Sequence, residues 1–188
     1  MQQGYQTGRF GSRLARQVAS SSAHSGWQVF YDHGDPTLDE HVAATKGFFG
    51  ADIQNLNRLA DIDILVASPD NIAQLLIEIE ERPSPPKKLL GDALAILLCN
   101  RLAVRVHGEQ RTFRISSVTR LIIAGVVPDS GYGRRKIDEV ISPRLRRLDG
   151  FADGVAPKNV QFVFRSTIEE ALEELDAIVA AQLGYNGT

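Results

Sequence analysis

The segment Leu121 to Val127 is apolar apart from Gly125 and rich in β-branched residues. A strand that reads as a continuous apolar run is one covered on both faces, whereas a strand with one wet face alternates. Such a strand needs a layer on each side, and that requirement selects a layered α/β architecture.

The rest of the chain supplies the layers. Residues 9 to 23 read as an amphipathic helix, with Phe10, Leu14, Ala15 and Val18 at helical spacing and Arg9, Arg13 and Arg16 on another stripe. Trp27 to Tyr31 reads as a short strand after Gly26. Asp35-Pro36-Thr37 signals a turn or a helix start, so a short helix is expected over Leu38 to Phe49. Asp61 to Val66 has strand spacing, Ser68-Pro69-Asp70-Asn71 is turn chemistry, and Ala73 to Glu81 is a second strand, which together predict a hairpin. Ser84-Pro85-Pro86 then opens a helix that runs to about Arg101, with Leu90, Leu94, Leu97 and Leu98 on its apolar side. Gly91 inside that helix costs about 1 kcal/mol relative to alanine, and close approach to the sheet would account for it.

Further strands are expected at Ala103 to His107, Phe113 to Ser116, Leu121 to Val127 and Asn159 to Phe164, with a helix at Arg134 to Arg147 interrupted near Pro143. Thr167 and Glu170 have capping-box spacing, and Ile168, Ala171, Leu172, Leu175, Ile178 and Val179 give the last helix a buried stripe. The expected fold is a single α/β domain over residues 1 to 188, with a mixed central β-sheet flanked by helices.

Composition narrows the function classes. The longest unbroken apolar run, Ala93 to Cys99, is far short of the roughly 20 residues of a membrane-spanning helix, and the polar start lacks a secretory core. Cys99 is the only cysteine, so neither an internal disulfide nor a cysteine-built zinc site can form. These features lead to the expectation of a cytoplasmic protein without a membrane partner; monomer and homodimer both stay open. Among Leu94, Leu97 and Leu98, Cys99 is expected to be a buried, inert thiol.

A net charge of −2 disfavours a generally basic nucleic-acid binder, yet the charge is segregated. Residues 1 to 100 carry 8 basic and 12 acidic side chains, residues 101 to 147 carry 11 and 4, and residues 148 to 188 carry 2 and 7. The middle segment is a candidate anion-binding surface if its cations share a face.

Chemistry concentrates at Asp61-Ile-Asp63 on one expected strand, Glu78-Ile-Glu80 on its neighbour, and Lys87-Lys88 at the start of the next helix. Strand residues two apart project to one side, so each acidic pair shares a face. Four converging carboxylates are unfavourable unless protons or a divalent cation neutralise them, and hard oxygen ligands suit Mg²⁺ or Mn²⁺. The bland alternative has the acids facing water and the lysines solvated.

At these residues, over roughly 59 to 101 and also in the helix–strand lead-in at 9 to 31, the chain resembles the restriction-endonuclease-like, or PD-(D/E)xK, nuclease superfamily. Members of that family place a metal-binding Asp on one core strand, an acid and a Lys two apart on the next, and a helix immediately afterwards. The resemblance implies metal-assisted hydrolysis of a phosphodiester in DNA or RNA, with Mg²⁺ or Mn²⁺ held by Asp63, or Asp61, together with Glu78. The family's lysine falls on Glu80, giving ExE for ExK, so the resemblance implies a water-orienting role for Glu80 and a phosphate-facing role for Lys88 or Lys87.

Ser130-Gly-Tyr-Gly133 followed by Arg134, Arg135 and Lys136 is a candidate phosphate-backbone contact, although it lacks both common phosphate-loop spacings. His33 and Glu40-His41 form no recognised zinc spacing and are expected to be structural or solvated. Two rival readings remain: a non-catalytic nucleic-acid- or protein-binding module of the same fold, and a nucleotide-binding α/β enzyme using the Gly131 to Gly133 loop.

Overall fold

The computed structural model describes residues 4–35, 37, 39–127, 132–150 and 153–184. The fully apolar strand is β8 (Arg120–Val126). It lies between β5 (Ala73–Glu80) and β9 (Val160–Arg165) and runs parallel to both. On the far side of β5 come β4 (Ile64–Ala67) and then β1 (Gln28–Tyr31), each antiparallel to its neighbour. The five-stranded order is therefore β1-β4-β5-β8-β9, a mixed sheet.

One face of this sheet is covered by α1 (Tyr5–Ser20) and α5 (Ile168–Leu183). Phe10, Leu14, Val18, Ala171, Leu175 and Val179 pack there against Ile64, Val66, Leu75, Ile77 and Ile122. The apolar stripes read from both helices are thus the buried ones. Thr167 caps α5 as its spacing predicts, its side chain accepting the Glu170 N–H at 3.3 Å.

The opposite face is covered by α2 (Pro86–Leu97), by the α3–π–α4 run (Tyr132–Lys136, Ile137–Ile141, Ser142–Leu145), and by a second sheet. That sheet has the order β3-β2-β6-β7, from β3 (Arg58–Ile62), β2 (Thr45–Phe48), β6 (Arg101–Val106) and β7 (Glu109–Arg114).

The second sheet overturns two expectations. The helix expected over Leu38 to Phe49 is absent from its described residues, 39–49: their latter part is β2, the inner strand that pairs with both β3 and β6. Tertiary pairing supplies the backbone hydrogen bonds there that an irregular apolar pattern could not organise into a helix. Asp61 to Val66 is not one strand either. Ile62 packs into the core beside α2, while Ile64 packs against α1, although the two are only two residues apart. A continuous strand would send both to one side. The chain turns over at Asp63, leaving the second sheet and entering the first.

Two smaller differences have clear causes. Helix α1 begins at Tyr5, earlier than the periodicity suggested, and its N-cap Gly4 offers no side-chain cap. Glu81, at the end of β5, does the capping from across the fold, accepting from the Gly4 and Thr7 N–H groups at 3.2 and 2.7 Å and from Thr7 Oγ1 at 2.9 Å. Helix α2 stops at Leu97, and Arg101 already belongs to β6. Gly91 does not approach the sheet: it is exposed, and a Cβ built there meets nothing within 4 Å.

Cys99 is fully buried, and burial pushes its thiol up to about 12. In the native state a thiol reagent such as DTNB is expected to modify it only as fast as the protein opens. A rapid native-state phase would show that the α2–β6 junction is not packed as described.

Candidate functional site

The candidate site forms where the two sheets meet. The last β4–β5 pair is Ile64 opposite Ile77, so the next residues along, Asp63 and Glu78, are neighbours at the open end of the hairpin, with Glu78 on the α2 side of the sheet. Two backbone contacts hold them. Asp63 Oδ2 accepts the Ile79 N–H at 2.7 Å, and the Glu78 carboxylate accepts the Asp63 N–H. The Asp63 side chain is only 15% exposed. Burial pushes its carboxyl up to about 6, against the lowering effect of the Ile79 amide. Burial first, and then the charge of Asp63, push Glu78 well above the usual carboxylate range. Glu78 Oε2 is buried without any hydrogen-bond partner.

Glu80 is two residues further along β5, on the same side as Glu78. It is ion-paired with Lys88 of α2, which also reaches Asp92 at 3.2 Å. The helix that follows β5 therefore delivers a lysine to the position beside the second acid. The Lys87 side chain is exposed and makes no hydrogen bond or ion pair among the described residues.

Asp61 does not join the cluster. It lies on β3 in the other sheet, exposed and bound by the Arg58 guanidinium, because the turn at Asp63 reverses the faces. Four carboxylates therefore do not converge: Asp63 and Glu78 lie close enough to interact, and Glu80 is taken up by Lys88. Among the described residues no three His, Cys, Asp or Glu side chains form a ready-made metal-ligand group. Asp63 and Glu78 would supply two oxygen donors, a number that suits Mg²⁺, which keeps waters and takes substrate phosphate oxygens for its other positions.

His33 has no metal-ligand spacing in the sequence, but the structure brings it to the site. Its Nε2 lies 3.8 Å from Asp63 Oδ1, and its φ of 64° is unusual for a non-glycine residue. Gly4, the N-cap of α1, and Gly8 within it make the approach possible. A Cβ on Gly4 would lie 2.3 Å from His33 Cγ, and one on Gly8 2.2 Å from the His33 carbonyl oxygen. The i, i+4, i+7 spacing of Gly4, Gly8 and Gly11 was the signal available in the sequence. His41 has a different role: its Nδ1 pairs with Asp39 at 2.9 Å, while the other Asp39 oxygen accepts from Tyr31 at 2.6 Å.

The expected phosphate contact at Arg134, Arg135 and Lys136 forms part of α3. Arg134 lies 3.7 Å from Asp138, and Arg135 bonds Glu139 at 3.1 Å, so both charges are partly offset within the same helical run; Lys136 is exposed. Residues 128–131, including Ser130 and Gly131 of the proposed loop, lie outside the described residues. The arginine stripe of α1 lines a groove of about 880 Å³ whose opposite wall carries Glu169, Glu173 and Asp176. Arg13 bonds Asp176 there at 2.9 Å.

Comparison with family models, with curated proteins and with solved structures finds no match to the chain. Among the described residues no helix is long and apolar enough to cross a membrane.

Proposed function

We propose that the chain is a metal-dependent hydrolase of phosphodiester bonds in nucleic acid, with a restriction-endonuclease-like core. The observation that carries this reading is the buried Asp63–Glu78 pair with its orphaned Oε2, set beside Lys88. Two like-charged carboxyls in a desolvated corner are costly, and a bound cation is the simplest compensation. The resemblance to the family rests on the same parts: an acid at the head of β4, two acids on the adjoining β5, and a helix directly after.

Asp63 and Glu78 would hold Mg²⁺ or Mn²⁺, which when bound polarises a phosphate oxygen and lowers the pKa of a water. The protein's own groups supply the remainder. Lys88, at the first turn of α2, places a positive charge where the negative charge of a five-coordinate phosphorus develops. Glu80 holds that ammonium in position and offers an oxygen to orient the attacking water. His33, on the other side of Asp63, closes the site from the α1 side.

The hold of the Ile79 amide on Asp63 and of Lys88 on Glu80 favours a second reading, a non-catalytic module of the same fold whose acids are kept for structure. A cleavage screen separates the two. Single- and double-stranded DNA and RNA are incubated with Mg²⁺ or Mn²⁺ and either the native chain or Asp63→Ala. Cutting by the native chain alone is expected, with the variant at background and still folded by circular dichroism. Equal cutting by both proteins, or none by either, removes the hydrolase reading.

A further inference from the structure

We propose that the solvent face of the second sheet is a docking surface for the phosphate backbone of nucleic acid. The nature of the partner rests on the hydrolase reading above; the surface itself rests on strand register. Directly paired residues in antiparallel strands share a face. The pairs Lys46↔Ala103, Ala103↔Thr112, Arg101↔Arg114 and Arg105↔Gln110 therefore place Lys46, Arg101, Arg105 and Arg114 together on one side. The other side carries Leu102, Val104 and Phe113, which are buried in the core. Lys46, Arg105 and Arg114 are exposed, and none of the four cations belongs to an ion pair among the described residues. Asp61, opposite Lys46, is engaged by Arg58.

This concentration is not general to the molecule, whose net charge is −2. The α1 arginines face an acidic wall across their groove, and Arg134 and Arg135 lean on acids of their own helical run. Among the described residues, Asp61 is the one acid that the register places on this side of the sheet, and Arg58 already holds it. The face also carries Gln110 and Thr112, exposed side chains able to hydrogen-bond phosphate or sugar oxygens.

Position ties the face to the candidate site. One step beyond the pairs Thr45↔Ile62 and Thr45↔Val104, the chain reaches Asp63 from β3 and Arg105 on β6. A backbone laid across the sheet at Arg105 is thus about two strand spacings, roughly 10 Å, from the turn that presents Asp63. The one aromatic ring within the register on this side, Phe48, is buried, so base stacking contributes little and the contact is electrostatic and indifferent to sequence.

The test separates binding from chemistry. Asp63→Asn protein in EDTA is titrated against labelled duplex DNA, duplex RNA and single strands by fluorescence anisotropy over a salt series. Arg105→Glu/Arg114→Glu in that background is expected to lower the slope of log K against log salt by about two, and affinity by more than about ten-fold, for every strand bound. Arg13→Gln, on α1 at the opposite face of the first sheet and already bonded to Asp176, is expected to leave both unchanged. The milder pair Lys46→Gln/Arg105→Gln, which reverses no charge, repeats the slope measurement should the double reversal not fold. Unchanged binding by the folded sheet variants overturns the proposal. So does failure of the parent to bind any strand, or tighter binding to phosphatidylserine vesicles than to nucleic acid. Cleavage plays no part in this readout, so an inactive protein that binds through the sheet sinks the hydrolase reading alone, and an active one that binds elsewhere sinks the surface alone.

Discussion

Glu78→Gln is expected to abolish metal-dependent cleavage and, in the same molecule, to make the metal-free protein more stable at neutral pH. The loss follows from removing one of the two proposed oxygen donors. The gain follows from linkage. A carboxyl whose folded pKa is raised binds more protons in the native state than in the unfolded chain, so its penalty is absent below the unfolded value near 4 and grows as pH rises toward the folded value. Asp63, pushed up to about 6, then carries a penalty on the order of 3 kcal/mol above that pH, and Glu78 is displaced in the same direction. Glutamine removes the Glu78 part of that penalty and leaves the desolvation of Asp63 in place. Wild-type stability without metal should therefore fall between about pH 4 and pH 7, and the variant's should fall less, by the Asp63 part alone.

The metal reverses that sign. Mn²⁺ needs both carboxylates ionised, so it should raise the wild-type melting temperature at pH 8, do so weakly at pH 5, and do nothing for Glu78→Gln. Melting curves at three pH values, with EDTA and with Mn²⁺, check all of this. A wild-type protein whose metal-free stability rises through that pH window would mean that Asp63 and Glu78 are ordinary surface acids.

How far the sequence reached is clear from these same residues. Glu78, Glu80 and Lys88 were legible because short-range rules place them: alternation on a strand, and a proline-started helix directly after it. The pairing of Asp63 with Glu78 followed from a hairpin whose turn residues stand in plain view. The face change at Asp63 was not legible, because Ile62 and Ile64 satisfy strand spacing equally well whether they enter one core or two. Only the partner strands decide that, and β2 has too irregular a pattern to announce itself. The cationic face was hidden for the same reason. Its members come from positions 46, 101, 105 and 114, and the register that gathers them is a long-range fact.

The glycines of α1 give the second large effect. Within a helix, Gly→Ala normally gains about 1 kcal/mol. Gly91→Ala, exposed in α2 with open space around the new Cβ, should gain that amount and raise the melting temperature by roughly 2–4 °C. Gly8→Ala should do the opposite. Its Cβ would lie 2.2 Å from the His33 carbonyl oxygen, a backbone atom that cannot swing aside as a side-chain tip could. Either α1 lifts, uncovering Phe10, Leu14 and Val18, or the His33 loop moves away from Asp63. Overpacking of this kind costs roughly 1–3 kcal/mol, enough to outweigh the propensity gain. If the loop gives way, Mn²⁺ should also stabilise the variant less than the wild type, because the wall beside Asp63 has shifted. If the helix lifts, the melting temperature falls while the metal response survives. Comparing the two alanine variants thus tells which element holds the other, and a Gly8→Ala protein as stable as Gly91→Ala would show that α1 does not rest on His33 at all.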